Sequence, residues 1–199
     1  MIDEAVAAIQ AGRLVVLPTD TVYGLVTTPY REDPVRRLYR LKGKPESEPS
    51  AIVCADLDLL FECVPELRGR AGVIARALLP GPYTLVLSNP ARRYRWLNGS
   101  RPDAIGVRIP ELTGPAADVL RQVGAVVATS ANMHGQPDPA TLEEVPEELR
   151  AGCAVLVDGG VLPGTPSTVI DWTGPEPRVL REGAVASAEV IERVRALTA

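Results

Sequence analysis

The chain of 199 residues has a single histidine, His134, and three cysteines, Cys54, Cys63 and Cys153, with no C-x-x-C pair. That scarcity sets aside a Cys/His metal site and a Ser-His-Asp triad. An odd number of widely spaced cysteines fits reduced thiols in the cytoplasm rather than a disulfide framework. No apolar run approaches the roughly 20 residues of a membrane helix, so no membrane partner is expected. The first residues, MIDEAVAAIQ, are acidic and amphipathic; they lack the basic start of a secretory signal. Both glycine-based nucleotide signatures, G-x-x-x-x-G-K-[ST] and G-x-G-x-x-G, are missing. A bound nucleotide must therefore have its phosphates held mainly by Lys and Arg side chains. A positive excess is missing too: the net charge is −4 with the histidine neutral. Contact with nucleic acid must then come from local basic clusters. His134 has no recognisable relay partner and reads as a loop residue rather than a catalyst.

What is present is an alternation of elements in a chain that is 46% hydrophobic and 23% charged, the profile of a soluble globular protein. The length fits one domain spanning residues 1–199. The 19 prolines and 17 glycines point to many ordered turns. Residues 2–11 predict a helix with Val6 and Ile9 on one face and Gly12 ending it. Residues 13–18 form an apolar strand, and 33–41 a helix with Asp33 as N-cap and Pro34 at its first position. Strands are expected at 50–54, 83–88, 104–110 and 125–130, and helices at 56–63, 66–79 and 114–123, the last capped by Thr113. Thr141 and Glu144 have capping-box spacing, so a helix should start there and be interrupted near Pro146. Residues 154–158, 167–171 and 178–182 read as strands. SAEVIERVRALT closes the chain as an amphipathic helix with Val190, Ile191, Val194 and Leu197 on one face. The mixture is α/β, and the sheet is mixed, because pairs such as 167–171 and 178–182 lie too close for a helical crossover.

Apolar strands keep ending in polar segments: PTDTVYG (18–24), KGKP (42–45), GVRIP (106–110), TSANMHGQPDP (129–139), GTPSTVID (164–171) and RVLREG (178–183). Open α/β sheets bind ligands where strand ends meet, so the six can line one crevice. Each also has a plainer use. Thr19, Thr21 and Tyr23 offer hydroxyls, but Pro18, Asp20 and Gly24 suit an ordinary turn. Lys42 and Lys44 face one side if the segment is extended, and suit a polyphosphate or carboxylate; equally, they can offset a helix dipole. Arg108, inside an apolar strand, pairs with a carboxylate of the protein or holds an anionic ligand. Ser130 and Asn132 can bind phosphate oxygens or cap a turn. Residues 164–168 can form a backbone anion nest or a tight turn. Arg181 repeats the logic of Arg108. In NPARRYRWLNGSRPD (89–103), Arg92, Arg93, Arg95 and Arg101 alternate with Tyr94 and Trp96. That pattern suits single-stranded RNA, with Arg92, Arg93, Arg95 and Trp96 as contacts, or a surface loop with one aromatic on the core.

Taken in order, PTDTVYGL, KGKP, PGPYTLVL (80–87), VRIP, SANMHGQP, STVID and VLREGA resemble the YrdC-like family of threonylcarbamoyl-AMP synthases over roughly residues 10 to 184. Each motif alone is weak; seven in order are specific. The resemblance implies a single YrdC-like α/β domain with a twisted, mostly open mixed sheet, flanking helices and a large concave basic cavity. It implies that ATP, as substrate with Mg²⁺ on its phosphates, reacts with L-threonine and bicarbonate to give threonylcarbamoyl-AMP and pyrophosphate. The product feeds tRNA threonylcarbamoyladenosine formation, with tRNA and tRNA-modification proteins as partners. By motif, Lys42, Lys44, Ser130, Asn132 and Arg181 are implied at ATP, with Lys42 and Lys44 the catalytic pair. Thr21, Arg108 and Ser167 are implied around threonine, with Arg108 on its carboxylate. Lys44 stands where the family usually has arginine, and residues 46–51 carry two glutamates where it is usually more basic. A paralogue with a different or lost adenylate-forming activity, and a non-catalytic RNA-binding module, are the alternatives.

Overall fold

The computed structural model describes residues 1–198, with side chains through Ala196. The strands are β1 (Val15–Pro18), β2 (Tyr23–Thr27), β3 (Ala51–Cys54), β4 (Tyr83–Ser88), β5 (Ala104–Arg108), β6 (Ala125–Ser130), β7 (Val155–Leu156), β8 (Thr168–Asp171) and β9 (Arg178–Arg181). All lie in one sheet of order β7-β1-β2-β6-β3-β5-β4-β8-β9. The sheet is mixed, as expected: β1/β7, β3/β5 and β4/β8 pair parallel and the other neighbours antiparallel. The helices are α1 (Ile2–Gln10), α2 (Glu32–Lys42), α3 (Leu57–Cys63), α4 (Gly69–Leu78), α5 (Gly114–Val123), α6 (Glu147–Gly152) and α7 (Ser187–Thr198). No helix among the described residues is long and apolar enough to cross a membrane.

Side chains alternate across a strand, and here the alternation divides two cores. Val16, Leu25, Ile52, Leu85, Val107 and Val127 point to one face and join Leu38 of α2, Leu60 of α3, Ile74 of α4 and Val190 and Val194 of α7. Val15, Leu17, Val26, Val53 and Val126 point to the other face, against α1 and α5. These two helices pack on each other and meet the sheet at β1, β2, β6 and β7. The same face over β3, β5, β4 and β8 is left to the site described below.

Several expected details differ. α2 starts at Glu32 behind Arg31, without a side-chain cap. Asp33 is therefore inside the helix, and Pro34 sits in the first turn, where its missing N–H costs nothing. Thr113 does precede α5, but its hydroxyl makes no cap bond. No helix starts at Thr141. The cap-like bonds form, Glu144 N–H to Thr141 Oγ1 at 3.3 Å and Ala140 N–H to Glu144 Oε2 at 2.7 Å, yet the helix waits for Glu147. Pro146 pushes the residue before it away from helical dihedrals. The strand expected at 154–158 is reduced to Val155–Leu156. In α7, Val190 and Val194 are buried as the pattern requires; the side chain of Leu197 lies outside the described residues. β2 is not among the expected strands. It forms a hairpin with β1, closed by Thr19 N–H to Val22 O at 3.2 Å.

Candidate active site

The uncovered sheet face is the floor of a cavity of about 330 Å³, a size that suits a small ligand. Its floor is made of small residues, among them Gly24, Ala51, Gly106 and Ala128. In β5 the alternation is plain: Ala104, Gly106 and Arg108 line the cavity, while Ile105 and Val107 enter the core. All six polar segments reach its wall, through Thr19 and Thr21, Lys44, Arg108, Ser130, Ser167, and Arg181. They come from strand ends and the turns beside them, as the sequence pattern places them: Arg108, Ser130 and Arg181 each close a strand, Ser167 precedes β8, and Thr19 and Thr21 lie in the β1–β2 turn. The wall holds four cations, Lys44, Arg101, Arg108 and Arg181, and no Asp or Glu among the described residues.

PTDTVYG is both turn and wall. Thr19 Oγ1 donates to Val22 O at 2.7 Å and accepts from Val22 N–H at 3.2 Å, which shapes the hairpin. Asp20 then points at Arg108: its carboxylate accepts from Arg108 Nη2, which also donates to Thr21 Oγ1 at 3.0 Å. Of the two partners open to Arg108, an internal carboxylate is thus one. Burial lowers the pKa of the guanidinium and Asp20 opposes that. Its buried Nε has no partner among the described residues.

KGKP is not extended. α2 runs through Lys42, and Gly43 ends it with φ 68°. Gly43 N–H bonds to Arg40 O at 3.2 Å and Lys44 N–H to Tyr39 O at 2.9 Å, a Schellman cap that only an easy left-handed residue allows. Lys42 and Lys44 consequently go to different places. Lys42 is 4% exposed and off the cavity wall. Its ammonium donates to Ser130 O at 2.6 Å, Asn132 O at 2.7 Å and Asn132 Oδ1 at 2.5 Å. Burial, helped by Lys44, pushes its pKa down to about 8. Asn132 is equally occupied: Oδ1 also accepts from Ser130 Oγ at 2.6 Å, and Nδ2 donates to Gln136 O. It too is absent from the wall, whereas Ser130 is on it.

Lys44 does line the cavity, 5.8 Å from the centre of the Tyr39 ring and 3.6 Å from Glu48. Burial lowers its pKa and Glu48 opposes the change. Arg181 sits on the last strand, where Nε and Nη2 donate to Ser167 O at 3.0 and 2.8 Å and Nη2 reaches Ser167 Oγ at 3.1 Å. Gly183 lets this strand end lie against 166–168, since a Cβ there would come within 2.2 Å of Pro166 O. In the GTPST loop, Gly164 N–H is committed to Thr21 O at 2.9 Å and is not free for an anion nest.

The basic-aromatic segment divides. Arg92, Arg93 and Arg95 are exposed, but Arg93 is held bidentately by Glu66 at 2.7 and 2.8 Å. Trp96 is half-buried, donates its indole N–H to Pro29 O at 2.9 Å, and meets Tyr94 edge-on. Arg101 leaves this group and joins the cavity wall, fixed by Asp171 at 2.7 Å and Thr173 at 3.0 Å. Sequence reasoning misses Arg101 as a wall residue, and Asp20 and Asp171 as carboxylate supports of the wall. The one usable signal is that Asp171 closes a strand on the same side as Val169.

A mixed α/β sheet with a cation-lined pocket on its bare face defines the class: an α/β protein with a basic cavity on an open sheet face. The chain belongs to the Sua5/YciO/YrdC family, which carries the description "Telomere recombination" and matches residues 7–183. The threonylcarbamoyl-AMP synthase of Pyrococcus abyssi is 33% identical over 187 residues, covering 94% of this chain and 55% of that protein. This chain thus spans about half the length of that relative. P. abyssi Sua5, solved in complex with L-threonine, superposes with a TM-score of 0.86 at 33% identity, over 96% of this chain and 56% of that one. E. coli YciO superposes with a TM-score of 0.83 at 26% identity, over 96% and 92% of the two chains. Relatives named threonylcarbamoyl-AMP synthase occur in archaea, bacteria and human.

Proposed function

We propose that the chain is a threonylcarbamoyl-AMP synthase, a nucleotidyl-transferring enzyme that forms threonylcarbamoyl-AMP and pyrophosphate from L-threonine, bicarbonate and MgATP. One observation carries the reading: the six motif segments converge on a single cavity whose wall holds four cations and no carboxylate among the described residues. The P. abyssi relative solved with L-threonine supports the amino-acid half.

Roles follow from position. Arg108 takes the threonine carboxylate, steadied from behind by Asp20, while Thr21 and Ser167 offer hydroxyls to the amino acid. Lys44, Ser130 and Arg181 take the phosphates. Lys42 and Asn132 act one layer behind, holding the 130–132 backbone that presents Ser130. The threonine amine and bicarbonate condense to a carbamate with loss of water. A carbamate oxygen then attacks the α-phosphorus, the P–O bond to pyrophosphate breaks, and pyrophosphate leaves with the electron pair. Charge builds on phosphoryl oxygens, so positioned cations in a low-dielectric cavity supply most of the rate. Mg²⁺ enters on the substrate phosphates. The protein works in the cytoplasm, where its product passes to tRNA-modifying partners.

The test is pyrophosphate release from ATP with bicarbonate and Mg²⁺, with and without L-threonine, beside serine and glycine. Threonine-dependent release with a threonylcarbamoyl-AMP mass is expected. No release while ATP still binds refutes the proposed reaction.

A further inference from the structure

Two loops meet beside the phosphate end of the cavity. Residues 43–50 carry Lys44 and Glu48, and 131–138 carry His134. Lys42 stitches them together: its ammonium holds Ser130 and Asn132, and its carbonyl accepts His134 N–H at 2.9 Å. On this support the Glu48 carboxylate stands between two basic side chains from different loops. Oε2 is 3.6 Å from Lys44 Nζ and Oε1 is 3.4 Å from His134 Nε2. The Lys44 side chain is 10% exposed and that of Glu48 46%. The cation is thus set in the wall, and the anion stands half in solvent. Ion pairs with a partner this exposed are weak. Lys44 also feels the like charge of Arg181, and Lys42 that of Lys44, while Asp138 acts on Lys42 and Arg181. Glu48 is the carboxylate within ion-pair reach of Lys44 among the described residues.

We infer that Glu48 is an exchangeable counter-ion. A terminal phosphate or pyrophosphate group displaces its carboxylate from between Lys44 and His134, and His134 then becomes a ligand contact. The inference rests on the nucleotide reading of the cavity. It gives the glutamate a purpose at a place where negative charge disfavours a polyphosphate. Glu48 neutralises Lys44 in the empty site, weakens phosphate binding, and by returning assists release of pyrophosphate.

The protein has one histidine, so an untagged chain gives a single imidazole Hε1 resonance. The experiment titrates inorganic pyrophosphate and ATP into the wild type, Glu48→Gln and Glu48→Gln/His134→Gln, by calorimetry and by proton NMR of that imidazole. Glu48→Gln is expected to bind pyrophosphate about three- to tenfold more tightly than the wild type. Adding His134→Gln is expected to return about two- to fivefold of that gain. The imidazole signal should move on binding in both chains that contain it. ATP binding with no gain in Glu48→Gln, or an unmoved imidazole at saturation, overturns this inference alone. Failure of wild type and Glu48→Gln to bind either ligand overturns it together with the nucleotide reading.

Discussion

Replacing Lys42 by methionine separates a structural lysine from a ligand-binding one. The ammonium is buried and makes three bonds of 2.5–2.7 Å to Ser130 O, Asn132 O and Asn132 Oδ1. Hydrogen bonds to a charged group contribute about 1.5–3 kcal/mol each, and abandoned buried acceptors cost a similar amount. Against this stands the cost of burying the ammonium, expressed in a pKa pushed down to about 8; at 1.36 kcal/mol per pH unit this is about 3 kcal/mol. The net expectation for Lys42→Met is a loss of about 3 kcal/mol, a lowering of Tm by about 6–12 °C for a chain of this size. Urea unfolding followed by circular dichroism at pH 7 reads the loss, with ATP binding measured on the same preparations. Lys44→Met is the control. Its partner Glu48 is half in solvent, so stability should change by no more than about 1 kcal/mol, while ATP affinity falls at least about tenfold. If Lys42→Met unfolds at the wild-type urea concentration yet loses ATP binding, Lys42 touches the nucleotide and its supporting role is refuted.

Arg108→Lys keeps the charge but loses the planar fork; the KM for threonine should rise about tenfold or more with ATP affinity unchanged, and a shift in ATP affinity alone would move Arg108 to the nucleotide end. For Asp171→Asn the pH dependence is the readout. Burial raises the Asp171 pKa, but bonds from Thr173 and Arg101 outweigh it and the net shift is downward. Its contribution is therefore present above the unfolded value of about 3.9 and is lost as pH falls through the lower folded value. The variant should be about 2 kcal/mol less stable at pH 7, and the gap to wild type should close below about pH 4; a gap constant with pH refutes the assignment. Trp96→Phe removes the N–H bond to Pro29 O and should cost about 1 kcal/mol without changing tRNA binding; a fall in tRNA affinity would reinstate Trp96 as a stacking surface.

The sheet is legible in the sequence wherever one face of a strand is core and the other is cavity. In β5, Ile105 and Val107 alternate with Gly106 and Arg108, and the arginine marks the bare face. β2 is not legible, for two reasons. Its residues are buried throughout, so no alternation shows, and its first two, Tyr23 and Gly24, belong to the same polar segment as the turn. The spacing of Lys42 and Lys44 puts both on one side only where the backbone is extended. The helix continues to Lys42 and Gly43 turns the chain, a stop that a glycine after a helical run does announce. The Asp20–Arg108 and Asp171–Arg101 pairs join residues 88 and 70 positions apart, and nothing local in one chain couples them.

Those pairings explain how an acidic chain holds a cationic cavity. Arg108 is matched by Asp20, Arg101 by Asp171 and Lys44 by Glu48, each within ion-pair distance. Arg181 is held by the carbonyl and hydroxyl of Ser167 instead, and no carboxylate lies within ion-pair distance of it among the described residues. Buried cations without partners are costly; Arg108 and Lys44 are set in the wall and Arg101 is half exposed, and each is paired with a carboxylate that stays off the cavity wall. The field inside is then set by geometry rather than by net charge, since the wall presents the cations and the carboxylates stand off it. Of the three carboxylates, Asp20 and Asp171 are nearly buried and Glu48 is half exposed. Under the proposed counter-ion role, the pair at Lys44 is the one whose carboxylate can leave into solvent, because the other two carboxylates are enclosed.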